Sequence, residues 1–192
     1  MSAEPTTRPT AEAAVLLARS WIFKGRRIDM SGLAGEVGVD RATLHRWFGT
    51  RERLIGDAIW SLVERTVDDV EPEADGRGAG RISFVVCRVV ESFVGSLAIE
   101  RFVSAEPKAL GVLVSPQSRI MERFAERMQR LIEVEIRLGA LPADLDARDA
   151  STVISRVVTS VGFADIVADQ PPDLPTIDRI VKTFLQTGPD AQ

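Results

Sequence analysis

The sequence predicts an all-α fold with about nine helices. Apolar residues recur at three- and four-residue spacing along most of the 192-residue chain, which is the period of an amphipathic helix. Glycine- and proline-rich breaks separate these segments, and no stretch shows the alternation of a convincing strand. With 45% hydrophobic residues, the chain can also bury a substantial core. These three observations indicate a globular helical protein.

The helices fall into two groups around one glycine-rich segment. That segment, residues 71–80 (EPEADGRGAG), contains Pro72 and three glycines, so it breaks any helix. We therefore predict one domain over residues 1–70 and a second over residues 80–192. In the first domain we expect helices over about residues 10–24, 30–37, 41–48 and 51–70. In the second we expect helices over about residues 81–103, 106–114, 116–138, 147–168 and 174–186.

The charges are distributed unevenly between the two groups. The whole chain carries a net charge of −4. Residues 8–54, however, hold nine Lys/Arg against five acidic residues, and the remainder holds 15 against 23. A basic N-terminal unit on an acidic body is typical of a DNA-reading head joined to a separate assembly or sensing domain.

Several other classes of protein are disfavoured. No apolar run approaches the roughly 18–20 residues that span a bilayer, and the polar N-terminus lacks a signal core. The single cysteine, Cys87, cannot form an internal disulfide, so we expect a cytoplasmic protein without a membrane partner. With one histidine and no tyrosine, and no HExxH, P-loop, GxSxG or CxxC spacing, we expect no catalytic residues, no metal, no cofactor and no enzyme activity.

Residues 29–54 carry the most informative pattern. Asp29, Asp40 and Thr50 each precede a short helical segment, where their side chains can cap unpaired backbone N–H groups. Gly38 ends the first of these segments, because glycine tolerates a positive φ. Helix, glycine turn and helix is the helix-turn-helix arrangement, which places its second helix in the DNA major groove.

This stretch resembles the N-terminal signature of TetR-family transcriptional regulators. That signature usually shows an Ile/Leu-Ala pair, a Gly-Val-Ser turn, Thr-Leu-Tyr, a Phe and Gly-Ser-Lys-Glu. The matching positions here are Leu33-Ala34, Gly38-Val39-Asp40, Thr43-Leu44-His45, Phe48 and Gly49-Thr50-Arg51-Glu52. The likeness covers about residues 10–60. The run that begins at Arg41 (RATLHRWFGTRE) is also similar to that of a QsdR-like subgroup, which is tied to lactone-signal catabolism.

The resemblance implies base reading by the start of the second helix of the motif. Arg41 can bond guanine O6 and N7 bidentately, and Thr43 can touch a base edge, a thymine methyl or a phosphate. Ala42 and Arg46 share this exposed face. The alternative is an ordinary solvated helix face.

Further candidates for DNA contact surround that face. His45 stands where the family usually has a phosphate-binding Tyr, so DNA affinity should rise below about pH 6.5, where an unperturbed histidine becomes protonated. Trp47 could pack on the sugar-phosphate backbone or beside Phe48 in the core. Arg51 and Ser31 are candidate phosphate donors near helix starts.

The resemblance further implies a homodimeric repressor of a near-palindromic double-stranded operator, released by a small molecule. The last two helices of each subunit would form the dimer interface. The effector, apolar or lactone-like, would bind in the second domain, where ordinary core packing is an equally good interpretation of the candidate residues. These candidates are Phe93, Phe102, Met121, Phe124 and Met128. The alternative function is a helical interaction or ligand-sensing module that has lost DNA binding.

Overall fold

The computed structural model describes residues 9–168 and 170–186. Within these residues there are ten α-helices and no β-strand, which confirms the all-α class. In chain order the helices are α1 Ala11–Phe23, α2 Met30–Val37, α3 Arg41–Phe48, α4 Arg51–Val70, α5 Gly78–Val94, α6 Leu97–Ala105, α7 Ala109–Val114, α8 Ile120–Arg137, α9 Ala147–Val167 and α10 Leu174–Gln186. Short 3-10 turns occupy Glu71–Glu73 and Pro116–Ser118.

The three predicted helix caps are present. The Asp29 carboxylate accepts the N–H of Gly32 at 2.7 Å, and Asp40 accepts the N–H of Thr43 at 2.6 Å. The hydroxyl of Thr50 accepts the N–H of Arg53 at 3.1 Å, which begins α4. Gly38 ends α2 with φ of 83°, the left-handed conformation expected for this turn. These contacts confirm the predicted helix, turn and helix over α2 and α3.

The single helix predicted over residues 81–103 is wrong, because it is two helices. Ser96 has an extended ψ of 113°, and α5 and α6 meet there with a bend of 49°. Gly95, a poor helix former, immediately precedes the break. The bend allows α6 to pack against α1, a contact that a straight helix would not make. This break accounts for ten helices where about nine were expected.

The starts of the neighbouring helices also differ from the prediction. The α8 helix begins at Ile120 because Arg119 takes a left-handed conformation with φ of 57°. Residues 116–118 form a separate 3-10 turn that begins with Pro116. The α7 helix begins at Ala109, because Glu106, with φ of −145° and ψ of 80°, lies outside the helical conformation. Residues 106–119 are therefore a series of short turns around α7.

One buried core runs from Ala14 in α1 to Leu185 in α10. Within it, α8 packs along α9, and α5 packs along α10. The α4 helix contacts both α1 and α5, so it joins the N-terminal helices to the rest of the chain. The division into domains near residues 70–80 stays a prediction. No single described helix is long and apolar enough to cross a membrane, although the bent pair of α5 and α6 meets that criterion by length and composition alone.

Candidate nucleic-acid interface and ligand cavity

The α3 helix is amphipathic, with one face in the core and the other in solvent. Leu44 is fully buried and Phe48 is 8% exposed. Arg41, Ala42, His45 and Arg46 are exposed, which is the face predicted to read DNA. The buried side of this eight-residue helix packs against α2 and α4. This packing fixes the orientation of the exposed face.

Two of the remaining predicted contacts, Trp47 and Thr43, have partners inside the protein, whereas the side chain of Ser31 is exposed. Trp47 is half-buried and packs edge-on against Phe48, with ring centroids 6.4 Å apart. The Thr43 hydroxyl accepts a hydrogen bond from Arg46 at 3.3 Å. Ser31 is exposed in the first turn of α2, next to the Asp29 cap. The DNA contacts of these residues stay predictions.

The two aspartate caps of the motif are charged at neutral pH. The N–H of Gly32 lowers the pKa of Asp29, and the N–H of Thr43 lowers the pKa of Asp40. A carboxyl whose pKa is lower in the folded state stabilises the fold above its unfolded pKa. That contribution is lost as the pH falls through the lowered value. The caps therefore support α2 and α3 throughout the neutral range and fail only in acid.

Four basic residues meet in a cleft between the starts of α2 and α4 and the middle of α3. We call this group, Arg27, Arg41, His45 and Arg51, the basic cleft. Ile28, Asp29 and Met30 complete its lining. The sequence predicts DNA contacts for Arg41, His45 and Arg51 one by one, and the fold brings these residues together. Arg27 joins them because the loop between α1 and α2 folds beside α3.

The ring of His45 has a defined orientation. Its Nδ1 lies 2.8 Å from the carbonyl oxygen of Gly49. A carbonyl oxygen can only accept a hydrogen bond, so Nδ1 carries the proton. In the neutral ring Nε2 is then an acceptor, and it can donate to a phosphate only after the ring is protonated. The contact with Gly49 therefore leaves Nε2 as the ring nitrogen available for a DNA contact.

A second concavity lies among the C-terminal helices. It has a volume of about 90 Å³ and is walled by α4, α5, α7, α8 and α9. Its lining residues are Val63, Val89, Val90, Phe93, Val94, Leu113, Val114, Ile120, Met121, Phe124, Val158, Thr159, Gly162 and Ile166. We call it the apolar cavity. Thr159 has the only polar side chain in this lining, and its hydroxyl donates to the Ser155 carbonyl at 2.8 Å.

Three of the five predicted pocket residues line the apolar cavity: Phe93, Met121 and Phe124. Phe102 and Met128 are fully buried and lie outside its lining. The valines of α5 and the α9 contribution were not among the candidates. Helical periodicity shows which residues face inward, but the gap between packed helices depends on tertiary contacts.

A capped helix-turn-helix at one end and an apolar cavity among the C-terminal helices define the class as helical transcriptional regulators. A family model described as "Tetracyclin repressor-like, C-terminal domain" matches residues 77–186, more than half of the chain. The chain therefore belongs to the TetR family of transcriptional regulators.

Solved structures of this family share the fold. The repressor QsdR of R. erythropolis has a TM-score of 0.84 and 24% sequence identity, covering 95% of this chain and 97% of its own. AlkX of Dietzia sp. strain DQ12-45-1b, implicated in n-alkane biodegradation, has a TM-score of 0.61 and 20% identity over 93% of this chain and 99% of its own. FadR of Bacillus subtilis, solved with stearoyl-CoA, has a TM-score of 0.59 and 15% identity over 93% of this chain and 99% of its own. No curated protein sequence matches the chain.

Proposed function

We propose that this protein is a cytoplasmic, ligand-responsive repressor that binds a near-palindromic operator as a homodimer and is released by a small molecule. One observation carries the proposal: α4 belongs to both sites. Arg51 at its start lines the basic cleft, and Val63 near its middle lines the apolar cavity. A ligand that moves α4 therefore changes the position of the DNA-reading helices. The ligand can shift the position of these helices only if its affinity differs between the DNA-binding arrangement and the released one.

The proposed effector carries an uncharged hydrocarbon part. The apolar cavity offers no charged side chain, and the Thr159 hydroxyl donates its proton within the protein. Burying a charged group there would carry a large desolvation cost without a partner. Two proteins of similar fold are consistent with this proposal, since FadR was solved with stearoyl-CoA and AlkX is implicated in n-alkane biodegradation.

The last two helices are the proposed dimer interface. Val153 on α9 and Ile180 on α10 are 37% and 36% exposed, and Val157 lies one helical turn after Val153. None of these three side chains lines the apolar cavity, to which α9 contributes Val158, Thr159, Gly162 and Ile166. An apolar surface on two adjacent helices suits a four-helix interface with a second copy.

The test is selection of DNA from a random-sequence library with the purified protein. We expect enrichment of a near-palindrome whose half-sites lie about one helical turn apart, roughly 34–36 Å, or a multiple of it, because the two heads of a dimer read one face of the duplex. Arg41→Ala/Thr43→Ala should enrich no sequence. Arg130→Ala, which removes an exposed positive charge from α8, is the matched control and should select the same sequence.

Failure to enrich any sequence with the unaltered protein would contradict the proposal. That result would favour the rival function, a helical interaction or ligand-sensing module that keeps the fold without DNA binding.

A further inference from the structure

Glu106 is a carboxylate of the C-terminal helices that reaches the basic cleft. It lies between α6 and α7, and its side chain is 10% exposed. The Nη2 of Arg51 donates to both carboxylate oxygens, with Oε1 at 2.5 Å. The Nε of Arg27 lies 3.8 Å from Oε1. Two arginines of the basic cleft therefore face a single carboxylate from a distant part of the chain.

Arg51 is shared between this carboxylate and the N-terminal helices. Its Nε donates to the carbonyl oxygen of Ile28 at 2.7 Å, and its side chain is 24% exposed. The other carboxylate of the cleft, Asp29, is occupied at the start of α2, where it accepts the N–H of Gly32. Glu106 is thus the acidic group that neutralises Arg51 in this arrangement.

We propose that Glu106 competes with a DNA phosphate for Arg51, so that the α6–α7 corner sets the affinity for DNA. This inference rests on the proposed function. An arginine that is paired with a nearly buried carboxylate releases fewer counterions when a phosphate approaches, and therefore adds less to binding. When Glu106 withdraws, the guanidinium of Arg51 turns its free donors to the phosphate.

The same corner is connected to the apolar cavity. The N–H of Glu106 donates to the Phe102 carbonyl at 3.0 Å, and its own carbonyl accepts the N–H of Ala109 at 2.8 Å, where α7 begins. Leu113 and Val114, at the other end of α7, line the cavity. A helix of six residues is about 9 Å long, so a shift of one end is transmitted directly to the other. An effector that holds α7 in the described position keeps Arg51 paired with Glu106 and lowers the affinity for DNA.

The experiment titrates the duplex that the selection yields, at several salt concentrations and without effector. Glu106→Gln removes the charge while preserving the shape of the side chain. We expect it to bind about fivefold more tightly at low salt, with the slope of log affinity against log salt steeper by about one. The Arg51→Ala variant should bind less tightly than the unaltered protein, and adding Glu106→Gln to it should give no gain.

The matched control is Glu73→Gln, which removes the same charge from an exposed position beyond the end of α4. The 20 residues of that helix place it about 30 Å from Arg51, which is about three Debye lengths at 0.1 M salt. It should behave as the unaltered protein does. If Glu106→Gln does not fold, Glu106→Asp, which keeps the charge on a shorter side chain, should show a smaller gain of the same sign.

Two results would overturn the inference. Unchanged affinity and salt slope in a folded Glu106→Gln protein would show that the ion pair only supports the structure, while DNA binding itself would stand. If the unaltered protein binds the duplex no better than Arg41→Ala/Thr43→Ala does, the proposed function fails and this inference fails with it.

Discussion

Gly56→Ala is expected to lower the free energy of unfolding by about 3 kcal/mol, because the added methyl group has no space. A Cβ at this position in α4 would lie 2.2 Å from the Ser118 carbonyl oxygen and 2.7 Å from its Cα. Ser118 is fully buried, and its hydroxyl donates to the Ser115 carbonyl at 2.8 Å. The obstruction is therefore fixed backbone, and α4 must move away from the turn that leads into α8.

Gly80→Ala in α5 is the matched control. Nothing lies within 4 Å of a Cβ built there, so the gain in helix propensity should stabilise the protein by about 0.5–1 kcal/mol. Urea denaturation of both variants measures the two effects. Equal stability of Gly56→Ala and the unaltered protein would mean that α4 and this turn do not pack as closely as described. Since α4 carries residues of both sites, the same substitution should also alter effector control.

Glu135→Ala is expected to cost about 3 kcal/mol, because it leaves the buried N–H of Gly78 without an acceptor and removes a buried carboxylate from Arg81. Glu135 in α8 is 1% exposed. Its carboxylate accepts the N–H of Gly78 at 2.7 Å and a guanidinium N–H of Arg81 at 3.0 Å. Arg77, the residue before α5, makes no side-chain cap. Glu135 therefore caps α5 from another helix and pairs with the arginine in its first turn, whose Nη2 also lies 3.5 Å from Glu71 Oε1.

Glu133→Ala on the same helix is the control. Glu133 is half-buried, and within the described residues its carboxylate accepts one hydrogen bond, from the side-chain amide of Gln129 at 2.8 Å. We expect it to cost less than about 1 kcal/mol. Guanidinium denaturation should separate the two variants clearly. Similar midpoints for both would refute the capping role of Glu135.

Local chemistry made the helix-turn-helix predictable. Asp29, Asp40 and Thr50 cap helices whose N–H groups lie only two or three residues away, so sequence spacing alone identifies them. Gly38 adopts a conformation that glycine permits at low cost. Such contacts depend only on residues within one helical turn of each other. The exposed face of α3 follows from them, because burial of Leu44 and Phe48 leaves the other side of a short helix in solvent.

The connections between distant segments were not predictable in this way. Glu106 meets Arg51 across 55 positions, and Glu135 meets Gly78 across 57. No spacing rule relates such pairs. The packing of α6 against α1, beyond the bend at Ser96, is likewise a contact between distant segments. A glutamate in an ordinary helical pattern gives no sign that it will be buried beside an arginine.

Sequence-specific DNA binding through α3 is the basis of the proposed function. Its sharpest test measures the affinity of the unaltered protein and of Arg41→Ala/Thr43→Ala for the selected duplex and for an unrelated one. We expect the double substitution to weaken specific binding about 100-fold while changing binding to the unrelated duplex far less, because base contacts carry the sequence information. Arg130→Ala should match the unaltered protein. Weak binding of equal strength by all three proteins to both duplexes would contradict the account.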